Sequence, residues 1–376
     1  MTKILFLVTE DWYFCSHRLP IARKAIELGF EVVVATRVDK HKELILREGI
    51  RVIELKNFRR ESRNPISFLL SLKEIISVLL QEKPDILHNV ALKPVAFGSI
   101  AGFFFRQLKI INAINGLGFM FASENLKTRI FRPFFKQFLR ICLKNSQIIV
   151  QNPDDFNFFS RESLPGLKSI HLIPGSGVDL SYFLPLPEPE DDWFCVGLAA
   201  RMLWDKGVGE AVQAIEELNR KKIKVKLILA GETDFSNPAA ISPIILQNWG
   251  SKDYVECLGR LDDVRELWKK CHIAILPSYR EGLPKCLLEA AACERAIVTT
   301  NVPGCREIVD NGQTGLLVPP RSSSDLAMAI QTLQESPELR RKFGVAGRKK
   351  VEKDMSEEII VNLTTALYKQ SSGLGF

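Results

Sequence analysis

The 376-residue chain contains eight cysteines, Cys15, Cys142, Cys195, Cys257, Cys271, Cys286, Cys293 and Cys305, yet no two stand at C-x-x-C spacing. Most lie inside apolar segments and read as buried, reduced thiols, which excludes a disulfide framework and a zinc site. The five histidines are scattered, with no H-E-x-x-H spacing. No D-x-D triplet occurs, so a divalent metal lacks an evident carboxylate clamp. No metal and no other cofactor is expected. The opening apolar run, residues 3–8, meets Thr9-Glu10-Asp11. It is too short for a membrane span or a signal peptide and reads as a buried first strand of a cytoplasmic protein.

What is present is ordinary globular composition, 46% apolar and 25% charged. The length suits two domains. The net charge of +7 is uneven: residues 1–185 hold 26 Lys and Arg against 17 Asp and Glu, and the remainder of the chain is slightly acidic. An anionic membrane surface, nucleic acid or plain solubility would each explain a basic first half. Nucleic acid is disfavoured, because no recognised binding module is present.

Apolar runs at 3–8, 31–35, 85–88, 109–114, 147–151 and 169–173 alternate with amphipathic stretches at 18–29, 65–81, 93–107 and 127–144. Strands alternating with helices predict a parallel sheet covered on both faces. Residues 185–192 hold three prolines and four acids and read as a linker. The alternation then resumes, with strand-like runs at 194–199, 225–230, 254–258, 273–277 and 296–300. The expected organisation is a Rossmann-like domain over 1–184, a linker over 185–193 and a second Rossmann-like domain over 194–355. A terminal helix over 356–376 packs back on the first domain. Two such domains leave a cleft in which two substrates can be held.

Two clusters in the second half follow apolar strands. The first is Ala199-Ala200-Arg201-Met202-Leu203-Trp204-Asp205-Lys206-Gly207. Arg201 offers a planar fork and Lys206 a point charge beside a helix start, a combination able to neutralise a diphosphate. The second runs from Leu276 through Glu281-Gly282-Leu283-Pro284 to Glu289. Backbone N–H groups at 282–284 can meet a phosphate or sugar, and a carboxylate can accept from two sugar hydroxyls at once. Glu289 is flanked by leucines and alanines and needs a partner there. Solvated surface cations, a helix-start Glu281 and an exposed mid-helix Glu289 are the plainer alternatives.

Glu281 and Glu289, eight positions apart after a strand and an upstream Arg/Lys pair, resemble family 4 of the retaining glycosyltransferases, which have the GT-B fold. The segments 151–155, 174–179, 303–307 and 311–319 are similar to that family too. The resemblance implies that Arg201 and Lys206 hold the donor diphosphate, that Glu281 contacts donor-sugar hydroxyls beside Gly282, Leu283 and Pro284, and that Glu289 accepts from the ribose. It also implies that Gly259 and Arg260 lie against the base. The family's chemistry usually proceeds without an assigned enzyme nucleophile, so none is named. Arg201, Lys206 and Glu281 are the expected catalytic residues. The glycine-rich loop common after the first strand in such proteins is replaced by residues 9–20. Its Ser-His-Arg-Leu-Pro, with His88, Leu92-Lys93-Pro94 and Asn115-Gly116-Leu117-Gly118, resembles a subgroup that elongates polyprenyl-diphosphate-linked sugars. His17, Arg18, Lys93 and Asn115 are therefore expected on the acceptor side.

The expected activity is retaining, metal-independent transfer of a hexose or N-acetylhexosamine from a nucleotide-diphosphate sugar, UDP-linked by preference, to a lipid-linked sugar acceptor in surface polysaccharide or glycan assembly. The cationic, aromatic stretch 127–144 would rest on an anionic membrane, peripheral on the inner face of the cytoplasmic membrane. A nucleotide-sugar 2-epimerase or a non-catalytic nucleotide-sugar-binding subunit are the rival readings.

Overall fold

The computed structural model describes residues 1–59, 64–116, 126–161 (side chains from 133 on) and 166–373. The chain forms two compact units, one of Met1–Ser176 with the segment from Glu357 onward, the other of Gly177–Ser356.

The first unit carries β1 (Lys3–Glu10), β2 (Glu31–Arg37), β3 (Arg51–Glu54), β4 (Ile86–Val90), β5 (Lys109–Ile114), β6 (Ser146–Val150) and β7 (Ser169–Leu172). They pair in parallel in the order β3-β2-β1-β4-β5-β6-β7. The second unit carries β8 (Phe194–Ala199), β9 (Val225–Ala230), β10 (Val255–Gly259), β11 (Ile273–Leu276), β12 (Ala296–Thr300) and β13 (Gly315–Val318). Their order is β10-β9-β8-β11-β12-β13, again parallel. Interior strands are buried along most of their length, Ile4 to Val8 and all of β4 and β11, because helices cover both faces. Strand order reverses between β1 and β4 and between β8 and β11. The crevices beyond those carboxyl ends are where doubly wound sheets bind ligands.

The expected linker at 185–193 is corrected by the structure. The chain changes units at Ser176/Gly177, where Gly175 and Gly177 take φ of 65° and 72°. The proline-rich stretch is a strap on the second unit. Arg295, 2% exposed, donates to the carbonyls of Leu186 and Pro187 at 3.0 and 2.5 Å. Arg340 grips Glu188 with two nitrogens at 3.0 and 2.9 Å, and Leu186 packs on the apolar core. Proline removes donors but leaves carbonyls, and two largely buried arginines use them or the neighbouring acid.

The chain leaves the second unit at Ser356/Glu357, next to where it entered: the Val178 N–H donates to Met355 O at 3.1 Å. The helix Glu357–Ser372 then belongs to the first unit, with Ile360, Val361, Leu367 and Tyr368 joining a core that includes Ile4, Phe6 and Phe30. The helix Leu126–Cys142 buries Leu139 and Cys142 and exposes Phe134, Phe138 and Ile141. The side chains of residues 127–132 lie outside the described residues, as do Leu117 and Gly118. Among the described residues no helix is long and apolar enough to cross a membrane.

Candidate active site

In the second unit the crevice is built by the loops after β8 and β11. After β8 the chain makes a short 3-10 turn, Trp204–Lys206, and enters the helix Val208–Arg220 through Gly207 at φ 71°. A Cβ on Gly207 would stand 2.1 Å from the carbonyl oxygen of Pro277, so only glycine lets this turn touch the end of β11. The two loops are then stitched together. Asp205 O accepts from Tyr279 N at 3.0 Å and from the buried Ser278 hydroxyl at 3.1 Å.

That stitching brings Lys206 to Glu281, Nζ to Oε1 2.5 Å, with both side chains mostly covered. Glu281 is fixed from behind as well. Its N–H donates to Pro303 O at 3.1 Å, and Gly304 packs on its backbone so closely that a Cβ would lie 2.7 Å away. Leu283 and Pro284 are buried and open the helix Lys285–Ala292, on which Glu289 lies. Glu289 keeps part of its surface open, yet the surrounding protein pushes its carboxyl up to about 7, with Lys285 pulling it down and Asp263 raising it.

Arg201 is half exposed and pairs with Asp234 at 2.5 Å. The β8 and β9 loops run side by side, Met202 N to Glu232 O 2.9 Å and Gly231 N to Gly259 O 2.7 Å, which places the ends of β8, β9 and β10 together. Gly259 takes φ 68°, and Arg260 is exposed beside it. Of the residues expected to hold the donor, Lys206 and Glu281 are thus in direct contact. Arg201 is partnered instead by Asp234, which the sequence reading missed. Asp205, Gly231 and Gly304 also went unassigned, although the Pro303-Gly304 dipeptide directly after β12 is a turn signal.

In the first unit the loop after β1 becomes a short helix, Asp11–His17. Asp11 is fully buried and accepts from the N–H groups of Trp12, Asp39 and His41 at 2.7, 2.8 and 2.9 Å, tying this loop to the one after β2. The ring of His17 stacks on Tyr13 with centroids 4.1 Å apart, and its Nδ1 meets the Ser16 hydroxyl at 2.6 Å. Arg18 donates to Asn115 Oδ1 at 3.2 Å, and Gln151 Nε2 donates to the same oxygen at 3.1 Å. Asn115 Nδ2 in turn donates to the Tyr13 hydroxyl at 2.5 Å. His17, Arg18 and Asn115 therefore cluster at the carboxyl ends of β1 and β5. Lys93 is drawn elsewhere, to Arg59 O and over the rings of Phe58 and Phe97. Just before it, Ala91 adopts φ 76° and ψ 163° at the reversal point. That region is close to glycine-only, and such strain, on the order of 1–3 kcal/mol, collects at functional sites. His88 on β4 meets Tyr368 of the terminal helix, Nδ1 to Oη 2.6 Å, and its burial, with the nearby Arg18 charge, holds the imidazole well below its ordinary pKa.

Two parallel sheets of Rossmann order in one chain, with a terminal helix returned to the first, make the fold of the GT-B glycosyltransferases. The Anabaena HepE protein solved in complex with UDP and glucose has it, at 19% identity, 98% of this chain, 100% of that chain and a TM-score of 0.79. Residues 3–152 match the description "Glycosyl transferase 4-like" and residues 193–336 match "Glycosyl transferases group 1". The N,N'-diacetylbacillosaminyl-diphospho-undecaprenol alpha-1,3-N-acetylgalactosaminyltransferase of Campylobacter jejuni is 30% identical over 86% of this chain and 87% of its own. The capsular polysaccharide biosynthesis glycosyltransferase CapM of Staphylococcus aureus is 26% identical over 99% of both chains. The chain belongs to the group 1, GT4-like family of glycosyltransferases.

Proposed function

We propose that the chain is a retaining, metal-independent glycosyltransferase that moves a hexose or N-acetylhexosamine from a UDP-linked donor to a sugar carried on polyprenyl diphosphate, in surface polysaccharide or glycan assembly. The observation that carries this reading is the Lys206–Glu281 pair, held at the reversal point of the second sheet by two loops locked together at Gly207. Lys206 and Arg201 neutralise the departing diphosphate, and Glu281 accepts hydroxyls of the sugar being moved. Glu289 accepts from the ribose, while Gly259 and Arg260 flank the base. Fixed charges at the developing anion need no reorganisation as the bond breaks. The relatives' names support the lipid-linked acceptor and the polysaccharide setting, and the UDP bound by the Anabaena protein supports the donor.

The test is a screen of nucleotide sugars against a lipid-linked acceptor, with the anomeric configuration of the product read by NMR and a chelator in a parallel arm. A product of inverted configuration rejects the retaining mechanism, and loss of turnover with chelator rejects metal independence. Donor incubated alone, with conversion to an isomeric nucleotide sugar, points to an epimerase instead. The exposed Phe134, Phe138 and Ile141 beside Lys136 and Arg140 favour peripheral association with an anionic membrane from the cytoplasmic side. Flotation with anionic vesicles at low and high salt checks it: salt-sensitive binding is expected, and none at either salt refutes it.

A further inference from the structure

Arg18 is 4% exposed and forms no ion pair among the described residues. Its hydrogen-bond acceptors are an amide oxygen, Asn115 Oδ1 at 3.2 Å, and, at 3.5 Å, the main-chain carbonyl of His17; its Nε has none. Among the described residues no carboxylate pairs with it. Asp11, the buried acid on the same loop, is committed to three backbone N–H groups. The groups joined to Asn115 are neutral, Gln151 and the Tyr13 hydroxyl, and behind them His88 is kept neutral by burial. A buried guanidinium without a counter-charge is unfavourable unless a ligand supplies one. The bond from Arg18 to Asn115 holds this one at the carboxyl end of β5, one strand from the β1/β4 reversal of the first sheet.

We infer that Arg18 seats one phosphoryl group of the acceptor's diphosphate, with Asn115 positioning the guanidinium. The inference rests on the reading that the acceptor is a diphosphate-linked sugar. A diphosphate esterified at both ends carries a single negative charge on each phosphorus. One arginine set among neutral groups matches one such phosphoryl, and the planar fork suits its geometry. Lys206 and Arg201 serve the donor's diphosphate on the other unit.

The full chain is assayed with two acceptors bearing the same sugar, one on a short prenyl diphosphate and one on a neutral alkyl glycoside. Arg18→Gln is expected to raise KM for the diphosphate acceptor at least tenfold, leave the donor KM within twofold and leave the neutral acceptor unaffected, with Arg18→Lys intermediate. Equal losses on both acceptors make Arg18 a structural residue and overturn the inference, and a rise in donor KM alone assigns the cation to the donor and overturns it too. Asn115→Asp supplies the missing anion internally. It is expected to raise the melting temperature while raising the diphosphate-acceptor KM, and a variant that melts lower with unchanged KM counts against the site. Independently of any sugar acceptor, inorganic pyrophosphate is titrated by calorimetry into protein saturated with UDP. Binding at least tenfold weaker in Arg18→Gln than in wild type upholds the phosphoryl seat even if the acceptor has been misread, and equal binding overturns it.

Discussion

Lys206 and Glu281 depend on each other, 2.5 Å apart and largely shielded from water. Lys206→Ala and Glu281→Ala are each expected to cut kcat about tenfold or more, a loss of roughly 1.4 kcal/mol or more of transition-state stabilisation. Circular dichroism and thermal melts should show both variants folded, and near-wild-type rates in both would remove the pair from the site. Glu289 makes a prediction of opposite sign to an ordinary carboxylate. Its folded pKa of about 7 lies above the reference 4.5, so between those values the folded chain holds a proton that the unfolded chain has released. Its contribution to stability is complete below pH 4.5 and is lost as pH rises through 7. Glu289→Gln should therefore raise the melting temperature at pH 8 and change it little at pH 5. If the ionised carboxylate accepts from the ribose, the donor KM of the wild type climbs as pH falls below 7, and the glutamine variant loses that inflection. The sequence singles out Arg201, Lys206, Glu281 and Glu289 as candidates because each lies beyond an apolar strand at a motif spacing. It could not reveal Asp234 as the partner of Arg201, since that contact depends on the β8 and β9 loops running side by side.

At the level of elements, precision at the site comes from loops that touch through glycine. Gly207→Ala would combine an unfavourable left-handed backbone with a side chain driven into Pro277 O. A loss of about 2 kcal/mol or more is expected in chemical denaturation, with a fall in kcat as Lys206 shifts. Gly250→Ala is the control, because its added carbon would meet nothing nearer than 3.6 Å, and its denaturation midpoint should barely move. Interior strands such as β1 and β11 announce themselves as apolar runs, since both faces are covered. The edge strands β3 and β13 did not. Arg51-Val52-Ile53-Glu54 has only two apolar residues between charges, and Gly315–Val318 is four residues long and half open. Their pairing is set by the neighbouring strand, which local sequence does not record.

For the whole molecule, the proline-rich segment misled the boundary because composition marks where a helix or strand cannot continue. It does not mark where contacts stop, and two arginines far along the chain turn that stretch into a strap. The first unit is assembled from two separate lengths of chain, so residues 1–176 by themselves lack the helix that covers Ile4, Phe6 and His88. Expressed alone, that fragment should show no cooperative thermal transition. Joining Ser176 to Glu357 through a short glycine-serine link should restore one, because Val178 and Met355 already lie within hydrogen-bond distance. The same route has a consequence during synthesis. At roughly 5–20 residues per second, the ribosome needs on the order of ten to forty seconds to translate the intervening Gly177–Ser356. Throughout that interval the nascent first sheet waits with part of one apolar face open, because the helix that completes it is still to be made. The earlier half of the polypeptide is thus open to chaperones until Tyr368 arrives at His88.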